Sequence, residues 1–530
     1  MKTRKLTRSR RRHDGHYPLS ALRGARPFAG GAEAASALIF PDRFADGDPA
    51  NNVRTGEYLA YGQPVFARRW GEEPQPEQGA REFFGGDLQG VAQRLDYIAD
   101  LGANAIYLNP IFTAPSSHRY DVASYTAVDP HLGGDAALAE LRRRLDAHAM
   151  RLVLDFVPNH CGAEHPWFVA AQADPRTPSA EFFSFSRHPD EYASWLGHRK
   201  LPRLNYRSQR LRDLMYAGPD AAMRRWLRPP YRIDGWRVDV ANMLGRQGMD
   251  QLGHEVAAEM RRAVKAEAPE AYLLAEHFFD ATPELQGDAW DAAMNYRGFL
   301  QPLLQWLSPH GSGIASRPPW GDTAPLPSEA LAAQWRAFLA AIPWQIARQQ
   351  FNTLGTHDTP RIASLLHGDV ARLTLAITLL MTFPGVPSIF YGDEIGLAGM
   401  GDPANRRCME WEPRRWNHEL RDRYRTLIRL RRSAPALISG GFQLLHTARE
   451  LIAYLREAPG QRIIVVVRRG ADDVLELPVR HGGIADGMRF RELWSGAIQS
   501  VRGGHLTLAG LPDIGAQVWI WDEALEQEAN

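Results

Sequence analysis

Cysteine is almost absent from this sequence of 530 residues, which contains only Cys161 and Cys408. Two isolated cysteines build neither a disulfide scaffold nor a zinc site, so we expect free thiols. Free thiols suit a reducing compartment, and the cytoplasm is therefore the predicted location. Long apolar runs are also missing, because even the Leu- and Ile-rich stretch at 374–383 falls short of the ~20 residues that cross a bilayer. The sequence thus predicts no contact with a membrane.

Net charge is small as well, at +1 for the whole chain. Residues 1–12 contain seven lysines and arginines and no acid, so the remaining residues carry a net −6. No apolar segment follows this basic start, which argues against a secretion signal. We interpret residues 1–36 as a basic, disordered tail, in preference to an export signal or a nucleic-acid-binding arm. For the mildly acidic remainder we predict no nucleic-acid partner.

Short apolar stretches alternate with amphipathic ones over most of the chain. This alternation predicts parallel strands joined by helices, and eight such units predict a closed (β/α)8 barrel, or TIM barrel, over residues 37–435. The predicted helices include 90–102, 136–150 and 249–268. The eight predicted strands are 37–40, 104–109, 152–157, 233–240, 272–276, 292–295, 351–356 and 387–391.

Two segments depart from this repeat. The 84 residues from Asp155 to Asp239 far exceed the 37 from Asp239 to Glu276, so extra chain must follow the third strand. We predict a small, irregular inserted subdomain at 161–215, which is rich in aromatic and polar residues. After residue 435, short alternating stretches between turns predict an antiparallel β-sandwich over 436–530.

A pair of charges lies inside the fourth predicted strand, IDGWRVDV. Arg237 and Asp239 are two positions apart and share one face of the strand, whereas the apolar Trp236 and Val238 share the other. Burying a charge without a partner is costly, so a strand that turns a carboxylate and a guanidinium inward together normally places them in a site. This pattern indicates an enzyme.

Acidic residues recur where four of the predicted strands end. In TIM barrels the carboxyl ends of the strands form the face that holds the active site, so these distant residues are expected to converge. Each acid alone is weak evidence, since Asp is common as a helix cap. For Asp155, a structural role and a role in the site are equally expected. The polar residues at these ends are Asp155, Asn159, His160, Asp239, Glu276, His357 and Asp358.

Such a cluster suits cleavage of a glycosidic bond, which needs one ionised and one protonated carboxyl group flanking the bond. We expect Arg237 to keep Asp239 ionised, and nearby negative charge to raise the pKa of Glu276. Neighbouring strands place these two side chains close together, and a separation of roughly 5–5.5 Å means a retaining mechanism with a covalent intermediate. Asp358 is expected to bind sugar hydroxyls and stabilise the transition state.

Four segments, DFVPNH, GWRVDVANM, LLAEHF and NTLGTHDTPR, resemble the four signature regions of the α-amylase family of glycoside hydrolases, in the same order. The resemblance implies that Asp239 is the nucleophile, Glu276 the acid/base and Asp358 the transition-state stabiliser. It further implies substrate contacts for Tyr120, His160, Arg237 and His357, a structural role being the alternative for the two histidines. Arg361 is also assigned to substrate binding, with a structural ion pair as the equal alternative.

IFPDRFADGDPANN and LPRLN (201–205) resemble the branch of this family that contains cyclomaltodextrinases, neopullulanases and maltodextrin glucosidases, and DAAMNYRGF is most similar to bacterial maltodextrin glucosidase. We therefore predict hydrolysis, with retention, of α-1,4-glucosidic bonds in short maltodextrins to glucose or maltose. The alternatives are a cyclomaltodextrinase or neopullulanase, or a transglycosylating glucanotransferase. A non-catalytic binding or scaffold barrel is disfavoured because all three carboxylates are present.

Some family members bind calcium through the asparagine that matches Asn159, but this branch often works without it, so we predict no required cofactor and no metal. Asn159 is instead expected to position the loop after the third strand. The 36 residues ahead of the barrel are too few for the N-terminal sandwich domain of this branch, and we expect a monomer or a weak homodimer. Aromatic residues of the insertion are candidates for further sugar contacts, with internal packing as the alternative: Trp167, Phe168, Phe183 and Trp195.

Overall fold

The computed structural model describes residues 33–307, 325–471, 476–523 and 525. Almost all of the predicted tail, 1–36, lies outside these ranges. Each predicted barrel strand matches an observed one, so the prediction of eight strands is confirmed. The observed strands are β1 (Ser36–Ile39), β2 (Ala105–Leu108), β3 (Arg151–Phe156), β4 (Gly235–Val238), β5 (Tyr272–Ala275), β6 (Ala292–Ala293), β7 (Phe351–Thr353) and β8 (Val386–Phe390).

These eight strands close into a barrel. Their order in the sheet is β6-β5-β4-β3-β2-β1-β8-β7, with all pairs parallel. A parallel bridge between Met294 and Phe351 joins the two ends of the sheet, and the Asn295 N–H donates to the Phe351 carbonyl at 2.8 Å beside it. The predicted (β/α)8 barrel is therefore confirmed.

Helices surround the barrel in the order that the sequence pattern predicts. Asp87 caps the first of them by accepting a hydrogen bond from the Gly90 N–H at 2.6 Å. The helices of more than one turn are α1 (Leu88–Gln93), α2 (Leu95–Leu101), α3 (Gly134–Ala147), α4 (Pro166–Ala173), α5 (Ala222–Leu227), α6 (Gly253–Glu267), α7 (Gln301–Leu307), α8 (Ser328–Ala340), α9 (Val370–Thr382) and α10 (His418–Ser433). Single turns lie at Pro41–Phe44, Gln209–Arg212, Trp344–Ala347, Ile362–Leu365 and Pro435–Ile438. In the described part of the chain, none of these helices combines the length and apolarity that a membrane span requires.

Strand register decides which side chains enter the barrel. On β3 and β4, Val153 pairs with Gly235, and Asp155 pairs with Arg237. Because side chains of neighbouring paired residues point to the same side of a sheet, Asp155 and Arg237 lie together. Leu152, Leu154 and Phe156, which alternate with these positions on β3, are buried in the apolar core.

The insertion after β3 contains α4 and two short antiparallel ladders, Phe185–Arg187 with Glu191–Tyr192 and Ser194–Trp195 with His198–Pro202. Phe168 and Phe183 are buried and contact each other edge to face at 5.0 Å. Their burial and mutual contact favour the alternative that these two aromatics pack inside the insertion. Further two-stranded ladders, which the sequence pattern did not predict, lie at Leu59–Ala60 with Gln63–Pro64, Phe66–Ala67 with Glu82–Phe83, and Arg246–Gln247 with Asp250–Gln251.

The C-terminal part forms two packed antiparallel sheets, which confirms the predicted sandwich. Its strands are β9 (Gly441–Ala448), β10 (Leu451–Ala458), β11 (Gln461–Arg468), β12 (Glu476–Pro478), β13 (Arg489–Glu492), β14 (Ile498–Ser500), β15 (His505–Thr507) and β16 (Gly515–Asp522). Six strands form the larger sheet, β9-β10-β11-β16-β13-β14, and β12 pairs with β15. Alternate residues divide the larger sheet between two cores: Ala453 and Ile464 face the smaller sheet, whereas Ile452 and Ile463 join the core of the barrel.

Candidate active site

β4 brings Arg237 to the centre of the carboxyl end of the barrel, where it is fully buried. Its Nη1 donates to both oxygens of Asp155 at 3.0 Å and to Asp239 Oδ1 at 2.8 Å. Its Nη2 lies 2.9 Å from Glu276 Oε1. One guanidinium therefore holds three carboxylates that come from three consecutive strands of the barrel.

Asp239 and Glu276 directly follow β4 and β5, and the barrel's own hydrogen bonds position them. The Asp239 N–H donates to the Phe156 carbonyl at 2.9 Å, and the Glu276 N–H donates to the Val238 carbonyl at 2.9 Å. Glu276 Oε2 accepts from the Val240 N–H at 2.7 Å. Asp239 Oδ2 is buried and makes no hydrogen bond within the described ranges. One acid is thus anchored at both oxygens, while the other keeps an oxygen free to react.

Val240 makes the chain turn sharply after Asp239. Its φ of 47° lies in the left-handed region, which a β-branched residue rarely adopts. Backbone strain of this kind persists only where the surroundings hold it, and it is concentrated at functional sites. Here the strained residue, Val240, is also the one whose N–H anchors Glu276.

Burial raises the pKa of Asp239 well above its ordinary range, and the charge of Glu276 raises it further, although Arg237 opposes both effects. Burial also raises the pKa of Glu276, again against Arg237 and with a contribution from Asp358. Arg237 lowers the pKa of Asp239, in the direction that the sequence predicts, but burial and the charge of Glu276 outweigh this effect. Raised pKa values favour the protonated form of a carboxyl group, which is the form that a general acid requires.

Asp358 lies in the loop after β7 and has a different environment. Its Oδ2 is 3.0 Å from His357 Nε2, and its Oδ1 accepts from Arg406 Nη2 at 3.1 Å. Burial alone would raise the pKa of Asp358, but His357 and Arg406 lower it well below its ordinary range. Asp358 therefore favours its ionised form, whereas burial favours the protonated forms of Asp239 and Glu276.

Tyr120, from the loop after β2, connects His357 with Asp155. Its ring stacks on that of His357 with centroids 5.3 Å apart, and its hydroxyl lies 2.7 Å from His357 Nε2. The hydroxyl also donates to Asp155 Oδ2 at 2.8 Å. Asn109 Nδ2 donates to the Tyr120 hydroxyl at 3.0 Å and lies 2.9 Å from His357 Nδ1. These contacts link Asp155 to Asp358 through one polar network.

His160 lies in the loop after β3, close to the insertion. Its ring stacks on that of Trp195 with centroids 5.6 Å apart. Its Nδ1 is 3.1 Å from Asn159 Nδ2, whereas its Nε2 is buried without a hydrogen-bond partner in the described part of the chain. Burial lowers the pKa of His160 to about 3, so the ring is neutral near pH 7. A neutral imidazole with an unused nitrogen is suited to a sugar hydroxyl.

Arg361 lies apart from this network and is fully buried. Its Nη1 donates to the Tyr391 carbonyl at 2.7 Å and to Asp393 Oδ1 at 2.9 Å, and its Nε donates to the Asn405 carbonyl at 2.9 Å. All three partners belong to the loop after β8. The geometry therefore favours the structural ion pair over the substrate contact assigned from the sequence, because protein encloses the guanidinium.

Three members of the centre were not among the sequence candidates: Tyr107, Asn109 and Arg406. Tyr107 donates from its hydroxyl to Asp155 Oδ2 at 2.7 Å, and Arg406 donates from Nε to the His357 carbonyl at 2.8 Å. Tyr107 and Asn109 are two positions apart at the end of β2, so the alternation of that strand was a usable signal. Arg406 lies in a long loop with no periodicity, and nothing local distinguishes it from Arg407.

We expect Arg406→Met to lower kcat/KM roughly 10- to 100-fold, because it removes a charge-assisted hydrogen bond of about 1.5–3 kcal/mol from Asp358. Steady-state kinetics on a substrate that the wild type cleaves measure this loss. Arg407→Met is the matched control, since Arg407 is the next residue and pairs with Glu73 instead. Equal losses in the two variants would contradict a specific role for Arg406.

A calcium ion does not fit at Asn159. Its Oδ1 accepts from Arg203 Nη2 at 3.4 Å, and the same nitrogen donates to the carbonyls of Met243 at 2.7 Å and Arg246 at 2.5 Å. The positively charged guanidinium already lies against the oxygens that a cation would need. Elsewhere in the described ranges, no three His, Cys, Asp or Glu side chains are grouped so as to hold a metal ion.

A closed parallel barrel with paired carboxyl groups and an arginine at its carboxyl end defines the class of (β/α)8-barrel glycoside hydrolases. Residues 38–431 match the family model for the α-amylase catalytic domain. The chain belongs to the α-amylase family.

Within this family, the chain is similar to several named relatives. A cyclomaltodextrinase of Geobacillus thermopakistaniensis is 35% identical over 451 residues, which cover 83% of this chain and 69% of that protein. An intracellular maltogenic amylase of Bacillus subtilis is 32% identical over 464 residues, covering 86% and 72% respectively. The structure of a cyclic α-maltosyl-(1→6)-maltose hydrolase from Arthrobacter globiformis is 30% identical, with a TM-score of 0.76 and coverage of 93% and 99%.

Proposed function

We propose that this protein is a retaining hydrolase of α-1,4-glucosidic bonds in cyclic and short linear maltodextrins, of the cyclomaltodextrinase and maltogenic amylase type. The observation that carries the proposal is the grouping of Asp239 and Glu276 on Arg237 in a chain whose 35%-identical relative is named cyclomaltodextrinase. Maltodextrin glucosidase, the first choice from the sequence motifs, becomes the alternative, because the relatives' names support the other members of that branch.

In the proposed first step, Asp239 Oδ2 attacks the anomeric carbon while Glu276 gives its proton to the departing glycosidic oxygen. Asp239 Oδ1 stays on Arg237 at 2.8 Å, which leaves Oδ2 free for the attack. A single guanidinium holds both acids, so their carboxyl groups lie close together, as a retaining mechanism requires. In the second step, Glu276 takes a proton from the water that releases the sugar from Asp239.

Three further side chains support this reaction in the proposal. Asp358, kept ionised by His357 and Arg406, accepts hydrogen bonds from sugar hydroxyls and stabilises the positive charge of the transition state. The Tyr120 ring provides an apolar face for the sugar, and the neutral His160 contacts a hydroxyl through Nε2.

A second candidate is hydrolysis of a ring that contains both α-1,6 and α-1,4 bonds. The Arthrobacter structure, named for such a substrate, aligns with 93% of this chain. Transfer of the glucosyl unit to another sugar uses the same three carboxylates and is a further alternative. All these activities share the first chemical step, so only the products distinguish them.

The test is time-resolved chromatography of products from maltotriose, maltoheptaose, β-cyclodextrin and cyclic α-maltosyl-(1→6)-maltose. We expect rapid ring opening of β-cyclodextrin and accumulation of maltose, because the proposal assigns this chain to the cyclomaltodextrinase type. Glucose released one unit at a time, with β-cyclodextrin untouched, would instead establish the maltodextrin glucosidase alternative. Products longer than the substrate at high maltotriose concentration would indicate transfer.

We also propose that the protein works in the cytoplasm as a monomer or a weak homodimer. The Bacillus subtilis relative is named intracellular, and both cysteines of this chain are free and buried, which supports a reducing compartment. Light scattering of the purified protein over a range of concentrations would measure the state of assembly.

A further inference from the structure

We propose that the Arg203 guanidinium is a built-in structural cation that positions His160 and the loop after Asp239 for catalysis. Arg203 directly follows the insertion strand His198–Pro202. It joins three segments of chain, the insertion, the loop after β3 and the loop after β4. It touches neither Asp239 nor Glu276, so its proposed role is that of a positioning residue.

The main chain forms the first part of this junction. An antiparallel bridge pairs His160 with Arg203. On either side of it, the Cys161 N–H donates to the Pro202 carbonyl at 3.1 Å, and the Leu204 N–H donates to the Asn159 carbonyl at 3.1 Å. The residue that carries the candidate sugar-binding imidazole is therefore paired directly with the residue that carries the guanidinium.

The Arg203 side chain adds the third segment. Its Nη2 contacts the carbonyls of Met243 and Arg246, at 2.7 and 2.5 Å, as well as Asn159 Oδ1 at 3.4 Å. Met243 lies four residues after Asp239 in the loop that leaves β4. Since both loops emerge from neighbouring barrel strands, this one nitrogen fixes the spacing between His160 and the chain that follows Asp239.

The partners of Arg203 are the kind that a metal ion takes. Burial lowers the pKa of Arg203, and in the described part of the chain no carboxylate offsets this effect. Arg203 is half-buried. An arginine withdrawn from water is normally paired with an acid, whereas here the acceptors are two carbonyl oxygens and one amide oxygen. Neutral oxygens of this type are typical ligands of Ca²⁺. The chain thus supplies as a side chain the positive charge that would otherwise come from solution.

Kinetics of Arg203→Ala, Arg203→Lys and Arg203→Gln test the role of the charge. We expect Ala and Gln to lower kcat/KM by about 10²-fold, the order of loss that a misplacement near 1 Å causes, and Lys to retain most of the activity. The inference rests on the proposed function only in the choice of the assay substrate, which is whichever maltodextrin the wild type cleaves. The matched control is Arg207→Ala, because Arg207 lies in the same segment but is exposed and pairs with Asp250.

Chemical rescue separates charge from packing. Millimolar guanidinium chloride should restore part of the activity of Arg203→Ala, whereas urea, which has the same planar shape without the charge, should not. The melting temperature provides a readout independent of catalysis: guanidinium should raise it in Arg203→Ala and not in the wild type, since a ligand that binds only the folded state stabilises it. If Arg203→Ala does not fold, the comparison of Lys with Gln decides the question.

Three results would overturn the inference. The first is a wild type that loses activity in EDTA and regains it with Ca²⁺, since a metal would then supply the charge. The second is a lysine variant as impaired as the glutamine variant. The third is rescue by urea equal to that by guanidinium. By contrast, a wild type inactive on every α-glucan would refute the proposed function, while the melting-temperature test of Arg203 would still stand.

Discussion

Asp239→Asn is expected to lower kcat by at least about 10⁴-fold on every substrate that the wild type cleaves, because the amide cannot form the covalent intermediate. The side chain keeps its size and its place beside Arg237, so binding and stability should change little. Glu276→Gln should lower kcat by about 10²–10⁴-fold, the range for loss of a general acid. Steady-state kinetics on maltotriose would measure both losses.

An aryl maltoside with an activated leaving group separates the two roles. The aryl leaving group of such a substrate departs without needing a proton. On this substrate, Glu276→Gln should therefore recover most of its first-step loss, whereas Asp239→Asn should recover none. The control is Asp96→Asn, a change of an exposed acid on α2. Full activity in Asp239→Asn, or equal recovery of both variants on the aryl substrate, would show that the two roles are assigned wrongly.

Arg237→Met is expected to destabilise the fold by about 3–5 kcal/mol, the usual effect of removing one partner from a buried ion pair. Asp155, Asp239 and Glu276 would all lose the cation that they share in the centre of the barrel. Denaturant unfolding monitored by tryptophan fluorescence would measure the change. Arg143→Met, at an exposed position on α3, is the control and should have little effect.

The deficit of Arg237→Met should depend on pH in a defined direction. The pKa values of Asp239 and Glu276 are raised in the folded wild type even though Arg237 opposes the rise, and removing Arg237 raises them further. A carboxyl whose folded pKa exceeds its unfolded value stabilises the fold below the unfolded pKa, and this contribution is lost as pH rises through the folded pKa. The deficit should therefore be smallest in acid and should grow toward neutral pH.

A double variant tests the cause of this loss. Adding Asp155→Asn to Arg237→Met removes one of the uncompensated acids, so part of the stability should return. A deficit that is independent of pH, together with no recovery in the double variant, would mean that lost packing rather than unpaired charge is responsible.

The barrel itself was predictable because its signals are local. Parallel strands are buried on both faces and read as short apolar runs, such as those of β2 and β3. Polar residues are rare in such runs, so Asp155, Arg237 and Asp239 stood out from the strand pattern. The rule that barrel sites lie at the carboxyl ends of strands then grouped residues that are far apart in the chain.

Other parts of the site depended on contacts that no local pattern encodes. Arg406 lies in a long loop and Arg203 directly follows a short strand, and their roles follow from the carbonyls and carboxylates that the fold brings to them. The role of Arg361 was equally undetermined, because only the position of Asp393 shows that its guanidinium is enclosed. The raised pKa of Asp239 also escaped the sequence, since it depends on how deeply the carboxyl group is buried and on the charge of Glu276 beside it.

The larger C-terminal sheet packs on the barrel with one face and on the smaller sheet with the other, and this limits where the chain can be divided. Tyr454 on β10 contributes to the barrel core, and its hydroxyl lies 2.5 Å from Thr382 Oγ1 at the end of α9. Arg456, on the same strand and also buried, donates to the Thr382 carbonyl at 2.6 Å. A chain cut after α10 would expose the apolar surface of the barrel that this sheet covers. The catalytic barrel is therefore not a transplantable module, and chimeras of this protein should exchange the barrel and the sheet together.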